Sequence, residues 1–395
     1  MRKLLITILL LAAVIGGFAV YLFSTTPSRG AGIRFPLTEE HRALVAQVPA
    51  SAESFAVIPT AAALEAKLRA NPVTRDVIAS FEEKQSLPRP WMLGRADLLI
   101  WRESGGGVHY LVHTDPLRSL FVRNEPLGPP IDAADREAIL ALAAALPPGD
   151  AFVVQRAQSR GAFPPIARPA VTSVAVTPEA IELTSRAVLA TRNPQLATSP
   201  RFPRTALLTA TFSEMPRVAE DLNRLFGTKV TPLLENGGTI AIYDVETRKL
   251  LPRPIGVIAI PADDARRAAF AAFVDRAREA EAVGVRVRTA EKDGQLLLSF
   301  DDSLDTYLKD AFEPARLPGG RWSLRADPQR LAPILGKLGD SLGLRVAAPR
   351  LFRSARDLEH WIGGLQRASA IEAAASDDGT AEVLRVRITA GISQK

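Results

Sequence analysis

The chain contains no cysteine. Disulfide bonds, thiolate zinc sites, iron–sulfur clusters, cysteine nucleophiles and cysteine-linked lipid anchors are therefore excluded. Only 4 histidines are present among 395 residues, which argues against a histidine-rich metal site. The glycine-rich loops that cradle phosphates in common ATPases and dinucleotide-binding enzymes are also absent. The sequence predicts no cofactor and no metal ion.

The chain also lacks a large excess of charge of either sign. It has 49 Lys and Arg against 43 Asp and Glu, a net charge of +6. This excess is too small for the basic surface of a nucleic-acid-binding protein, so no nucleic acid partner is predicted. A composition of 47% hydrophobic and 23% charged residues is typical of a globular protein.

One long hydrophobic run is present, at the start of the chain. Arg2 and Lys3 precede an uncharged segment of 20 residues, from Leu4 to Phe23. As a helix this segment spans about 30 Å, the thickness of the hydrocarbon core of a bilayer. Because positive residues favour the cytoplasmic side, we place residues 24–395 outside. The sequence thus predicts an uncleaved signal anchor at 1–23 in a bacterial inner membrane, with the bulk of the chain in the periplasm.

A cleaved signal peptide is the alternative interpretation of the same segment. Gly17-Phe18-Ala19 has the small-x-small pattern of a cleavage site, and cleavage there would release the protein into the periplasm. The lack of cysteine is compatible with an oxidising compartment. The sequence contains no Asn-x-Ser/Thr acceptor, so it gives no indication of a glycosylated secretory protein.

Segments rich in proline, glycine and serine divide the rest of the chain. They predict a tether at 24–40, a first domain at 41–192 and a second domain at 203–393. In both domains apolar strands alternate with helices, and paired runs around glycines predict hairpins. The order of elements is alike in the two halves. The sequence therefore predicts an α+β protein: an N-terminal transmembrane helix and two tandem α+β domains with largely antiparallel sheets. The two domains are either related by duplication or independent α+β domains.

Two predicted strands alternate apolar and basic residues. They are Val285-Arg286-Val287-Arg288 and Leu384-Arg385-Val386-Arg387-Ile388. Because strand side chains alternate between faces, each strand presents its arginines on one face. If both strands belong to one sheet, the four arginines form a surface for an anionic lipid headgroup or an acidic envelope protein. The alternative is a solvated face whose arginines pair with carboxylates on adjacent strands.

Aromatic residues and histidines supply the remaining candidates. Trp91 and Trp101 either line a groove for a ligand or pack in the core. His109 and His113 fall on one predicted strand about 13 Å apart, too far to share a metal ion. His113 and Asp115 are the candidate acid–base pair of an enzyme, and a solvent-facing strand with alternating polar residues is the competing interpretation.

The order of these features resembles a known group of proteins. The hydrophobic start, then Val48-Pro49-Ala50-Ser51-Ala52 leading into a strand and an alanine–leucine helix, then repeated strand pairs, resembles an uncharacterised bacterial family of envelope-anchored proteins built from a domain of unknown function. The resemblance spans about residues 45–392 and carries no catalytic residues. It implies an extracytoplasmic α+β protein.

These features together predict a non-enzymatic binding or assembly component of the bacterial envelope, anchored to the membrane by its N-terminal helix. Its expected partner is an envelope protein or an anionic lipid. Two alternatives stay open: an envelope hydrolase with an unrecognised active site, and a module that binds a ligand in the cleft between the two domains.

Overall fold

The structure is a computed structural model of the whole chain. It describes residues 32–75, 97–103, 107–113, 127–156, 169–188, 200–213, 233, 237–247, 252–279, 286–347 and 362–391. No helix within these residues is long and apolar enough to cross a membrane. The predicted anchor at 1–23 lies outside the described residues.

The chain groups into two compact units. The first comprises Met1–Asn71, Ile78–Pro178 and Leu183–Val188, and the second comprises Pro72–Val77, Glu179–Glu182 and Leu189–Lys395.

The first unit contains three described helices and a sheet. Its elements are α1 (Glu39–Val45), β1 (Ala52–Ile58), α2 (Ala61–Ala70), β2 (Asp97–Glu103), β3 (Val108–His113), α3 (Ala133–Ala143), β4 (Ala151–Gln155), β5 (Ala170–Val176) and β6 (Ala180–Val188, from Leu183 onward). The strands lie in the order β3-β2-β1-β4-β5-β6. β1 pairs antiparallel with both β2 and β4, so Phe55 lies opposite Trp101 on one side and Val154 on the other. The first strand in sequence is therefore central in the sheet.

The core of the first unit lies between its sheet and helices α1 and α3. Phe152 packs edge-on against Phe35 and Phe55, and Leu44 of α1 and Ile139 of α3 close over them. The opposite face of the sheet carries a smaller cluster around Leu98 and Val112, which Ala61 at the start of α2 covers. Both faces are thus apolar because both are covered.

The packed chain begins earlier than the sequence predicts. Ile33 and Leu37 fall in the predicted tether at 24–40, but both are buried in the core of the first unit. Apolar residues isolated among prolines and glycines give no periodic signal, so the sequence assigned them to a linker.

The second unit is larger. Its helices are α4 (Asp264–Arg278), α5 (Ser303–Lys309), α6 (Pro328–Gly339), α7 (Leu342–Ala347) and α8 (Ile362–Leu365). Its strands are β7 (Arg201–Pro203), β8 (Leu208–Phe212), β9 (Gly238–Glu246), β10 (Arg253–Pro261), β11 (Arg288–Lys292), β12 (Gln295–Ser299), β13 (Phe312–Pro314), β14 (Trp322–Ala326), β15 (Ala368–Asp377) and β16 (Ala381–Ala390).

The sheet of the second unit has helices on both faces. Its strand order is β11-β12-β10-β9-β8-β14-β15-β16, and β7 and β13 form a separate antiparallel pair. Ile258 and Ile260 point to the face covered by α4, where Phe270 and Phe273 are buried. Val257 and Ala259, which alternate with them in sequence, point to the face covered by α5. This alternation accounts for the continuous apolar run of β10.

The two units share one strand order. The first follows β3-β2-β1-β4-β5-β6, and the second contains β10-β9-β8-β14-β15-β16 with the hairpin β12–β11 added beyond β10. The hairpin β2–β3 lies on one side of β1, and the hairpin β9–β10 lies on one side of β8. The later strands of each unit lie on the other side. The predicted α+β fold with antiparallel sheets is confirmed.

Aspartate side chains cap three of the described helices. Asp132, Asp263 and Asp327 are the N-caps of α3, α4 and α6, and each carboxylate accepts a backbone N–H from the first turn. Pro328 at the first position of α6 loses no hydrogen bond there.

β9 and β10 approach each other closely at Gly256. The pairing of these strands shifts register between Ile255 and Gly256, and a Cβ atom on Gly256 would overlap the carbonyl oxygen of Ala241. We expect Gly256→Ala to destabilise the second unit by about 1–3 kcal/mol, because the strands must move apart. Chemical denaturation followed by circular dichroism measures this change.

Gly363→Ala is the matched control, because a Cβ atom at Gly363 meets nothing within 4 Å and the residue lies in a helix. An equal loss of stability in both variants would contradict the account of β9 and β10.

Candidate functional site

Two carboxylates and a histidine meet at one end of the first unit's sheet. Glu40 lies in the first turn of α1, Asp97 begins β2 and His113 ends β3. One ligating atom from each of the three side chains lies within 4.8 Å of the other two. Glu40 and His113 are exposed and Asp97 is half-buried, so solvent reaches the cluster.

Strand register and helix capping bring these residues together. Asp97 lies directly opposite His113 in the β2–β3 pairing, so both side chains point to the same face. Leu99, two residues further along β2, is buried on that face in the core that α1 closes. Thr38 caps α1 and accepts the backbone N–H of His41, which places Glu40 in the first turn above Asp97 and His113.

The surroundings of Asp97 oppose its ionisation. Burial raises the pKa of the Asp97 carboxyl above its ordinary value, and the negative charge of Glu40 raises it further. His41, His113 and the backbone N–H of Thr60, which donates to the carboxylate, act in the opposite direction on this pKa. Burial is the largest of these influences. Asp97 is thus a carboxylate whose charge the first unit does not fully compensate.

Thr60 provides its N–H from an unusual backbone conformation. It stands at the N-cap of α2 with φ 58° and ψ 64°, and its side chain makes no capping hydrogen bond. The left-handed region is strained for a β-branched residue. A threonine at this position normally caps the helix with its side chain, whereas here the backbone amide of Thr60 donates to Asp97.

Two carboxylate oxygens and an imidazole nitrogen are chemically suited to two tasks. They are ligands for a divalent metal ion, and they are groups that move protons near neutral pH. The sequence prediction of an acid–base pair includes His113, but its predicted partner Asp115 lies outside the described residues. The carboxylates that the structure places at His113 are Asp97 and Glu40.

Part of this cluster could be found from the sequence. The predicted hairpin of 97–101 with 108–113 already sets Asp97 opposite His113 when its ends are aligned. Glu40 could not be found in this way, since it joins the cluster only through the packing of α1 on the sheet.

The predicted arginine surface is not continuous. Arg288 lies in β11 and Arg385 and Arg387 lie in β16, at opposite ends of the second unit's strand order. Six strands separate them, which is roughly 30 Å at the usual spacing. Arg286 precedes β11 and is not in a strand. The sequence identified which residues share a face along each strand, but it could not give the distance between the strands.

Carboxylates accompany these arginines. Arg288 contacts Asp302 at 3.2 Å and Asp305 at 3.0 Å, and Arg387 contacts Glu182 at 3.2 Å. Arg385 donates to the Ser376 hydroxyl at 3.3 Å. This arrangement matches the alternative of a solvated face with paired charges.

A row of charge crosses β14, β15 and β16. Glu372 lies opposite Arg325 on one side and Arg387 on the other, and its side chain is only 5% exposed. Arg325 donates to Glu313 at 2.8 Å, which holds the pKa of that carboxyl below its usual range. Arg316 approaches Glu372 at 3.8 Å. The row is internally compensated and offers little net charge to a ligand.

Trp101 is a core residue. Its side chain is 2% exposed and its ring stacks on His109, with centroids 5.5 Å apart and an interplanar angle of 22°. The groove predicted for Trp91 and Trp101 therefore does not include Trp101. Trp91 lies outside the described residues.

A shallow hollow in the first unit also carries charge. Its volume is about 280 Å³, and Arg34, Lys67 and Asp150 are among the residues that line it. Lys67 donates to Asp150 at 2.6 Å, and the second oxygen of Asp150 accepts the backbone N–H of Val176 at 2.8 Å. The ion pair thus joins α2 to the turn before β4.

One serine pattern has the wrong structural setting for catalysis. Gly339-Asp340-Ser341-Leu342-Gly343 matches the Gly-x-Ser-x-Gly pattern of serine hydrolases. The nucleophile of those enzymes sits on a sharp turn from a strand into a helix. Ser341 instead joins helices α6 and α7, and its carbonyl oxygen accepts the N–H of Arg345. The pattern does not form a nucleophile elbow.

Comparisons with known proteins found no match to the chain, whether to protein-family models, to curated proteins or to solved structures. The cluster of Glu40, Asp97 and His113 is the candidate site that the geometry of the described residues supports best.

The raised pKa of Asp97 predicts a stability effect. Ionised Asp97 costs the folded state free energy, so the stability associated with its neutral form is present at low pH and lost as the pH rises through its raised pKa. We expect Asp97→Asn to raise the thermal midpoint at pH 7 in chelator-treated buffer. The difference should shrink as the pH falls towards 4, because the carboxyl becomes increasingly protonated in both states.

Thermal unfolding of both proteins from pH 4 to pH 8 measures this effect. A variant less stable than the native chain at pH 7 would show that the Asp97 charge is compensated in the fold.

Proposed function

We propose that the protein is a membrane-anchored, extracytoplasmic and non-enzymatic binding or assembly component of the bacterial envelope, and that its partner is a protein. The observation that carries the proposal is that the outer edge of β3 is unpaired among the described strands. β3 is the last strand of the first unit's sheet, and no described strand pairs with its outer side.

The composition of β3 suits it to receive another strand. Its sequence is Val-His-Tyr-Leu-Val-His, with no lysine, arginine, acid or proline, and Val108 is 49% exposed. Proteins usually protect an open edge with charges or proline, because its free N–H and C=O groups pair readily with other chains. An extended segment of a partner can add to such an edge through main-chain hydrogen bonds.

The outer edge of the second unit's sheet differs. β11 has the sequence Arg-Thr-Ala-Glu-Lys, and three of its five residues are charged. Arg288 and Glu291 also form ion pairs with Asp305 and Arg267. β11 has the charged composition of a protected edge, and β3 does not. This contrast favours β3 as the binding edge.

The arginines favour a protein partner over an anionic lipid. A lipid-binding surface needs uncompensated positive charge. Arg288 and Arg387 each contact a carboxylate, and they lie at opposite ends of the sheet order.

The proposal has two further parts, one supported by the shared strand order and one by the sequence of residues 1–23. We infer that the two units are copies produced by internal duplication, as the repeated order of elements in the sequence also indicates. The resemblance of the sequence to an envelope-anchored family supports the proposed location in the envelope. The segment 1–23 holds the protein in the inner membrane, with the two units in the periplasm.

The binding edge can be tested with single cysteines, because the chain has none of its own. We expect Val108→Cys, labelled with a photo-crosslinker in envelope membranes, to give one discrete protein adduct. Thr289→Cys is the matched control, since Thr289 is an exposed residue of β11. Adducts are identified by mass spectrometry of the crosslinked peptides.

Adducts of equal yield at both positions, or none at position 108, would contradict the assignment of β3. Adducts made only of phospholipid would replace the protein partner with a lipid.

The anchor predicts a definite N-terminus for the native protein. We expect an intact mass that includes residues 1–23, and retention in the membrane after carbonate extraction, because a helix of 20 apolar residues is not removed by high pH. A mature chain that begins after Ala19 and is released without detergent would show a cleaved signal peptide instead.

A further inference from the structure

We propose that Glu40, Asp97 and His113 bind one divalent transition-metal ion, with Zn²⁺ as the best match. His113 belongs to β3, but the metal site uses its side chain and does not require that a partner strand binds the main chain of β3. The three ligating atoms are mutually within 4.8 Å and belong to three different elements, α1, β2 and β3.

The distances fit an ion after a small adjustment. An ion equidistant from three atoms 4.8 Å apart lies about 2.8 Å from each of them, against roughly 2.0–2.2 Å in a bound zinc site. Each ligand must therefore move inward by well under 1 Å. Glu40 and His113 are exposed and free to rotate into that position.

The donor set selects the class of metal. Imidazole nitrogen suits zinc, iron and other transition ions, whereas calcium and magnesium prefer sites made of oxygen alone. Two carboxylates and one neutral histidine give three protein ligands, and water fills the fourth position of a zinc tetrahedron. The ligand charge of −2 also balances the charge of the ion.

The surroundings orient the central ligand. The Asp97 carboxylate accepts the backbone N–H of Thr60, which holds one of its lone pairs and leaves the others for the ion. The imidazole of His41 lies on the same turn of α1 as Glu40, with its Nδ1 3.1 Å from the Thr38 hydroxyl. A supporting hydrogen bond to a ligand, as from Thr60 to Asp97, fixes ligand orientation in metal sites.

A bound ion would offset an unfavourable charge and join separate elements. The carboxylates of Asp97 and Glu40 have like charges and repel each other in the first unit. A cation between them attracts both, and this attraction outweighs their repulsion. The ion would tie α1 to the β2–β3 hairpin.

Isothermal titration of the full chain in detergent, after removal of metals with a chelator, tests the site. We expect Zn²⁺ to bind with a stoichiometry of one and Mg²⁺ to bind at least about a hundredfold more weakly. Asp97→Asn and His113→Ala should each weaken Zn²⁺ binding by more than about tenfold, because loss of a ligand exceeds the usual effect of a supporting hydrogen bond.

Glu40→Gln and Glu39→Gln form a matched pair of neighbouring residues in the first turn of α1. Only the change at Glu40 should weaken Zn²⁺ binding, since Glu39 is outside the cluster. Circular dichroism confirms that each variant is folded. The proposal is overturned if Zn²⁺ does not bind with a stoichiometry of one, or if it binds equally well to the native chain and to Asp97→Asn and His113→Ala.

Discussion

In each unit an early strand pairs with a later one, β1 with β4 and β8 with β14, and the other elements take their places from that contact. Phe55 lies opposite Val154 in the first unit, and Ala210 reaches Leu324 in the second. These pairings join segments far apart in sequence, so chain entropy opposes them until the helices between them pack. Once formed, they make β1 and β8 central strands that are covered on both faces.

The candidate site follows from this arrangement. β1 is central, and β2 pairs with its other side. The hairpin partner of β2, β3, therefore lies at the edge of the first unit's sheet. The edge position leaves His113 exposed and Asp97 half-buried, and α1 brings Glu40 to both. The proposed metal site and the proposed binding edge therefore depend on the same hairpin, although different groups form them.

Local features of the sequence predict local parts of the fold. The hairpins β2–β3, β9–β10 and β15–β16 are predicted from apolar runs around turns. Caps are predicted at Asp327 and at either Asp263 or Asp264, and the structure has Asp263. The strand order is not predicted, because period-two patterns do not identify a distant neighbour. For the same reason, the sequence does not show that Arg288 and Arg387 lie far apart, or that Glu40 lies close to Asp97. Ile33 and Leu37 have no periodic neighbours at all, and only packing shows that they belong to the core.

Hydrogen exchange of the full-length protein, followed by mass spectrometry, tests the pairing of β1 with β4 and of β8 with β14 most directly. Peptides that cover β1, β4, β8 and β14 should be strongly protected, and to a similar degree in both units, because these strands are paired on both sides. Peptides from β3 and β11 should exchange faster, since each has one unpaired edge among the described strands. Rapid exchange in β1 or β8, comparable with that of β11, would contradict the central position of these strands.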